Sequence, residues 1–153
     1  MPSPPSFHRI NLHGPWECRV LSRGEEQHTS QTREDSQRIH LPGPHVQALL
    51  ATRSDQTEVC LVYTRRFNQP PQLPAGESIW ILFPAVGGTG TVQLNGRELG
   101  SLRESNETQP AQEFEITASL HRMNQIEIRL NVSACSAEAG LTGAGVLEFR
   151  STE

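Results

Sequence analysis

Residues 92–100 read Val-Gln-Leu-Asn-Gly-Arg-Glu-Leu-Gly. Val92 and Leu94 stand on one side of the Asn95-Gly96 pair, and Leu99 and Leu102 lie beyond it. Asn-Gly readily takes the positive φ angles of a two-residue type I′ turn, whose twist matches that of paired antiparallel strands. The stretch therefore predicts a β-hairpin, and Gly100 can end the return strand without a side chain in the way.

The flanking sequence extends this β pattern in both directions. NQIEIRLNV, residues 124–132, is the cleanest alternation in the chain. It sends Ile126, Ile128, Leu130 and Val132 to a core and Glu127, Arg129 and Asn131 to water. EVCLVYTRRF, residues 58–67, carries β-branched and aromatic residues on both faces, which suits the middle of a sheet. SIWILFP, residues 78–84, is a second strong strand, stopped by Pro84. Near the start, Ile10 and Leu12 alternate, Gly14-Pro15 breaks the run, and Trp16, Cys18 and Val20 resume it. A strand over Phe114–Ile116 and a closing strand over 146–149 complete the set.

The intervening segments at 69–76, 103–112 and 134–145 are polar or small and read as loops, and the polar run at 22–37 reads as an exposed loop or a solvated hairpin. Leu41–His45 reads as a rigid proline connector, and Val46–Ala51 as a helical turn or a short strand. No twelve-residue stretch holds a 3.6-residue period. About eight to ten short strands predict an all-β sandwich, jelly roll or barrel.

A length of 153 residues suits one domain with a real core, placed at residues 9–150 behind a loose lead-in at 1–8. Hydrophobic and charged fractions of 35% and 20% fit a soluble globular chain, and 11 Pro with 12 Gly fit many turns. A net charge of -4 gives no basic surplus, which argues against nucleic acid or an anionic membrane as partner. MPSPPSFHRINLHG has no apolar signal region, and no run approaches the roughly 20 apolar residues of a membrane span. Cys18, Cys60 and Cys135 are too scattered for a disulfide framework or a metal motif, so a reducing, cytoplasmic setting is expected. Cys60 reads as a buried, inert thiol in its apolar strand.

No group of residues suggests catalysis. Glu25-Glu26, Glu34-Asp35 and Glu104 with Glu107 lie in polar loops, where nothing apolar would raise an acid's pKa. His8, His13, His28, His40, His45 and His121 form no helical zinc pair. The GGTG at 87–90 lacks the Lys-Ser/Thr and the helix of a phosphate loop, and Ser101, Ser105 and Ser119 lack a nucleophile elbow. Neither metal nor cofactor is expected.

Taken in order, six segments resemble the amino-terminal sugar-binding domain of glycoside hydrolase family 2, the β-galactosidase, β-glucuronidase and β-mannosidase group. They are INLHGPWECRV at 10–20, IHLPGPHVQ at 39–47, VYTRRF at 62–67, VQLNGRELG at 92–100, FEITASLHRMNQIEIRLNV at 114–132 and GLTGAGVLEF at 140–149. The resemblance covers about residues 9–149 and implies a galactose-binding-like jelly-roll β-sandwich. It also implies structural roles for Trp16, Arg65, Arg66, Asn95, Gly96 and Asn124.

In that family a separate (β/α)₈ barrel carries the catalytic acid and the attacking carboxylate. The 153 residues leave no room for a barrel, so a non-enzymatic role is expected. Glu138, Ala139 and Gly140 stand where the family often carries an aromatic residue or an arginine. The expected function is therefore carbohydrate binding or an accessory role. The alternatives are a protein-interaction or structural module, a homo-oligomer included, and a complementing fragment of a split glycosidase. A sugar site needs an exposed ring with polar groups around it. Trp80, out of phase with Ile79 and Ile81, is the candidate ring, and Arg97, Arg103, Asn106, Glu107 and Glu138 are the polar candidates.

Overall fold

The alternating segments become the strands of two main sheets. The structure, a computed structural model, describes residues 8–21, 37–41, 58–68, 76–105, 110–133, 140–141 and 145–151. In chain order the strands are β1 (His8–Leu12), β2 (Trp16–Leu21), β3 (Gln37–Ile39), β4 (Glu58–Asn68), β5 (Glu77–Phe83) and β6 (Val86–Gly87). They continue as β7 (Thr89–Leu94), β8 (Arg97–Leu102), β9 (Gln112–Glu115), β10 (Met123–Ser133), β11 (Gly140–Leu141) and β12 (Gly145–Ser151). One 3₁₀ turn, Thr117–Ser119, is the only helical element among the described residues.

A six-stranded sheet runs β3-β2-β4-β10-β7-β8 and a four-stranded sheet runs β1-β12-β5-β9, with β6 and β11 forming a small third pair. All the named strand pairs are antiparallel. The chain is an all-β, jelly-roll-like sandwich.

Twelve strands among the described residues exceed the eight to ten expected. Two of the extra strands, β6 and β11, pair over only two residues each, too short for any alternation to show. β9 starts at Gln112 and ends at Glu115, slightly ahead of the expected Phe114–Ile116, because Ile116 turns into the 3₁₀ segment. β1 begins at His8, the last residue of the expected lead-in. The 69–75 turn, most of the 22–37 loop, the 42–45 part of the proline connector and the Val46–Ala51 segment lie outside the described residues.

Every second residue of the strands feeds one core between the sheets. From β10 these are Ile126, Ile128, Leu130 and Val132; from β4, Val59, Leu61 and Tyr63; from β5, Ile79, Ile81 and Phe83. β4 lies between β2 and β10, and Val62, in its outward phase, is also fully buried. Trp16 is fully buried, and its indole Nε1 donates to the Leu12 carbonyl at 2.8 Å, which satisfies its one donor. The Tyr63 hydroxyl accepts from the Leu141 backbone N–H at 3.1 Å and so ties β11 to the core.

The Asn95-Gly96 hairpin joins β7 to β8. Asn95 and Gly96 have φ of 54° and 84°, both in the left-handed region a type I′ turn requires. Asn95 also reaches beyond its own turn. Its Oδ1 accepts from the Gln125 N–H at 2.9 Å, and its Nδ2 donates to the Ser119 carbonyl at 3.1 Å and to Asn124 Oδ1 at 3.0 Å. Asn124, 1% exposed, accepts from the His121 N–H and donates to the His121 carbonyl, both at 2.8 Å. Two asparagines thus bind the hairpin to the start of β10 and to the 3₁₀ turn.

Candidate functional site

Each sheet has an outer face, and the two differ in how their charges are used. On the six-stranded sheet the outward phase gives Glu17 and Arg19 on β2, Arg38 on β3, Thr64 and Arg66 on β4, and Gln125 and Glu127 on β10. Antiparallel register sets Arg38, Glu17, Thr64 and Glu127 side by side across four strands. At an inter-strand spacing of about 4.8 Å that row is about 14 Å long. Arg66 lies opposite Gln125 in the adjacent row, and its Nε donates to Gln125 Oε1 at 3.3 Å. With Pro15 and Arg65, these residues line an open groove of about 800 Å³.

Arg65 belongs to the inward phase of β4, but its head group emerges at the strand's end. The guanidinium carbon lies 5.9 Å from the centre of the Trp16 ring, and Nη1 donates to the Pro15 carbonyl at 3.4 Å. Its Nε is buried with no hydrogen-bond partner, and burial pulls its pKa below the usual arginine value. Among the described residues nothing aromatic lines the groove.

The outer face of the four-stranded sheet is closed by its own ions. Arg150 of β12 sits 4.5 Å over the Trp80 ring of β5 and holds both carboxylate oxygens of Glu113 on β9, at 3.2 and 2.5 Å. Its Nε also donates to Glu148 Oε1 at 2.7 Å. Glu148, 3% exposed, has its second oxygen 2.7 Å from Arg9 Nη2, an ion pair outside hydrogen-bond geometry. Hydrogen bonding to Arg150 holds the Glu113 carboxyl below its ordinary range, and Glu113 in turn raises the arginine.

The ring and polar candidates taken from the sequence do not form one site. Trp80 is half-buried on the four-stranded face, with its ring engaged by Arg150 and its Nε1 donating to Ser78 Oγ at 3.0 Å. Arg97 is exposed at the start of β8, beside the hairpin turn. Arg103 is exposed just past the end of β8, where the Gln112 side chain clamps its backbone at 2.8 and 2.6 Å. Asn106, Glu107 and Glu138 lie outside the described residues.

Glu17, Arg19, Arg38, Gln125 and Glu127 line the groove without being among the candidates that the sequence predicts. Their signal was the polar phase of their strands, which becomes a site only once the pairing order is known. No group of three or more His, Cys, Asp or Glu among the described residues could hold a metal ion. No helix among them is long and apolar enough to cross a membrane.

The sequence matches no protein-family model and no curated protein. Solved structures do match. Bifidobacterium dentium β-glucuronidase complexed with coumarin-3-O-glucuronide aligns with a TM-score of 0.73 and 21% identity, over 98% of this chain and 31% of that one. The likeness is one of fold. Bacteroides uniformis β-glucuronidase matches with a TM-score of 0.68 and 17% identity, over 94% of this chain and 18% of the other. A rhamnosidase from Novosphingobium sp. PP1Y matches with a TM-score of 0.64 and 15% identity, over 98% and 16%. The chain thus spans less than a third of the length of each of these proteins. The motif resemblance and the structural likeness agree on the fold.

Proposed function

We propose that residues 9–150 form a non-catalytic, carbohydrate-binding accessory module that takes its ligand in the groove on the six-stranded sheet. The observation that carries this reading is the groove itself. Cationic, anionic and neutral polar side chains converge there from four adjacent strands, which hold donors and acceptors in fixed positions. Saccharide hydroxyls need such an array. The likeness to a segment of three glycosidases supports the ligand class, and fold by itself does not assign it.

The test is a calorimetric titration of the whole chain against neutral and acidic oligosaccharides, with an aryl-glycoside hydrolysis assay alongside. The expected result is saturable binding of at least one saccharide, weakened by Gln125→Ala, with no turnover. Absence of binding to every saccharide overturns the reading.

A second reading is favoured by the short share of each matched chain. In those proteins a segment with this fold accompanies 69% to 84% of further chain. A docking module, or the complement of a separate catalytic chain, would then present a face to a partner. Light scattering that shows a monomer, with no change on adding a glycosidase barrel lacking this segment, would refute it.

A further inference from the structure

Resting on that reading of the groove, we infer that the saccharide it holds is acidic, with a carboxylate or sulfate received by Arg38, Arg65 and Arg66. Neutral-sugar sites lean on an aromatic ring for stacking, and no ring among the described residues lines this groove. Trp16, the nearest indole, is fully buried, with Arg65 over it. What the groove offers in place of a ring is guanidinium, the group best matched to a planar or tetrahedral oxyanion through paired N–H donors.

The local charge balance points the same way. Among the described residues the lining carries three arginines besides the partnered Arg19 against two glutamates, in a chain whose net charge is -4. The field of the whole molecule does not draw anions, so the cationic surplus is a property of this groove. One of the two glutamates is already engaged from outside the lining, since Glu127 Oε2 lies 3.5 Å from Arg129 Nε. Glu17 faces Arg38 across the β2–β3 pair.

The state of the arginines supplies the third argument. Arg38 and Arg66 face no carboxylate at ion-pair distance among the described residues, and the one side-chain bond of Arg66 goes to the neutral Gln125. Arg65 buries an Nε donor with no acceptor, and the face of Trp16 steadies its cation without neutralising it. The unpaired guanidinium groups of Arg38 and Arg66 stand open to the groove, and an incoming oxyanion gives them the charge-assisted bonds they lack. Thr64, Gln125, Glu17 and Glu127 stand between and beside the arginines and take the hydroxyls of the sugar that bears the anion.

The experiment is calorimetry on the whole chain with a uronate trisaccharide, a sulfated disaccharide, a neutral trisaccharide of matched linkage and a polyglutamate peptide. One acidic saccharide should bind about tenfold or more tightly than the neutral one. Its affinity should fall as salt shortens the Debye length. The uronate and sulfate arms identify the oxyanion, and binding of either one supports the inference.

Arg38→Gln and Arg66→Gln should each weaken that binding by about tenfold or more. Arg66→Lys should retain part of it, and Arg122→Gln, at an exposed arginine outside the groove, should leave it unchanged. Melting curves establish that each variant is folded. Equal binding of the neutral saccharide overturns the inference and leaves the groove as a saccharide site. No binding of any saccharide overturns both readings. Tighter binding of polyglutamate, or an equal loss in Arg122→Gln, overturns the inference in favour of an acidic peptide or of unspecific attraction.

Discussion

Replacing Asn124 by alanine should destabilise the domain by about 3 kcal/mol, a large effect for one polar residue. The figure follows from the bonds that disappear. Oδ1 accepts from Asn95 Nδ2 at 3.0 Å and from the His121 N–H at 2.8 Å, and Nδ2 donates to the His121 carbonyl at 2.8 Å. A fourth contact, to the Phe67 carbonyl at 3.5 Å, is too long to count for much. Three bonds at roughly 1 kcal/mol each give the estimate, and the part-buried groups left without partners push it upward. For a domain of this size about 3 kcal/mol lowers Tm by about 6–12 °C. Urea denaturation followed by tryptophan fluorescence would measure it, since Trp16 moves from core to water on unfolding. Pairing the change with Asn95→Ala in a double-mutant cycle should return a coupling of about 1 kcal/mol for the direct bond. A loss below about 0.5 kcal/mol, or strictly additive single changes, would refute the account of a network joining hairpin, 3₁₀ turn and β10.

Gly96→Val should cost about 1–2 kcal/mol, because a Cβ there meets nothing within 4 Å and the penalty comes from a φ of 84° alone. Gly96→Asn should be close to neutral, and equal melting temperatures for wild type and the valine variant would contradict the turn assignment. Cys18, whose thiol burial pushes up to about 12, should resist alkylation at pH 8 in the folded protein and react once it is unfolded, as mass mapping would show. Glu113 has a folded pKa below its ordinary 4.5, so its pairing with Arg150 contributes at neutral pH and is lost as pH falls through the depressed folded value. Glu113→Gln should therefore cost under about 1 kcal/mol at pH 7 and nothing measurable at the acid end, because the carboxylate is solvent-screened. Urea midpoints at the two pH values would decide it.

The legible parts of the fold were those that local chemistry dictates. Asn95-Gly96 announced its turn because few residue pairs tolerate two positive φ angles in succession. The alternation in 124–132 announced a half-buried strand, and the two apolar faces of 58–67 announced a central one. Asn124 read as a cap for nearby backbone; it fills that role toward His121, but its bond to Asn95 spans 29 residues and leaves no local trace. The groove was hidden for the same reason. Arg38, Glu17, Thr64 and Glu127 are ordinary polar positions until the order β3-β2-β4-β10 sets them in one row. Trp80 was correctly out of phase with Ile79 and Ile81, yet nothing near it in sequence says that Arg150 covers its ring.

The contrast between the two outer faces bears on where a ligand would bind. On the four-stranded sheet each arginine meets a carboxylate: Arg9 and Arg150 share Glu148, and Arg150 also grips Glu113. A ligand anion there would have to displace an existing ion pair, and a neutral sugar would have to displace Arg150 from Trp80. On the six-stranded sheet Arg38 and Arg66 have no such partner among the described residues, and the one side-chain bond of Arg66 goes to the neutral Gln125. An incoming oxyanion therefore adds bonds on one face and exchanges them on the other, and net gain in water comes from the bonds that were unmade beforehand. That asymmetry, more than the size of the groove, favours the six-stranded face as the binding surface of this sandwich.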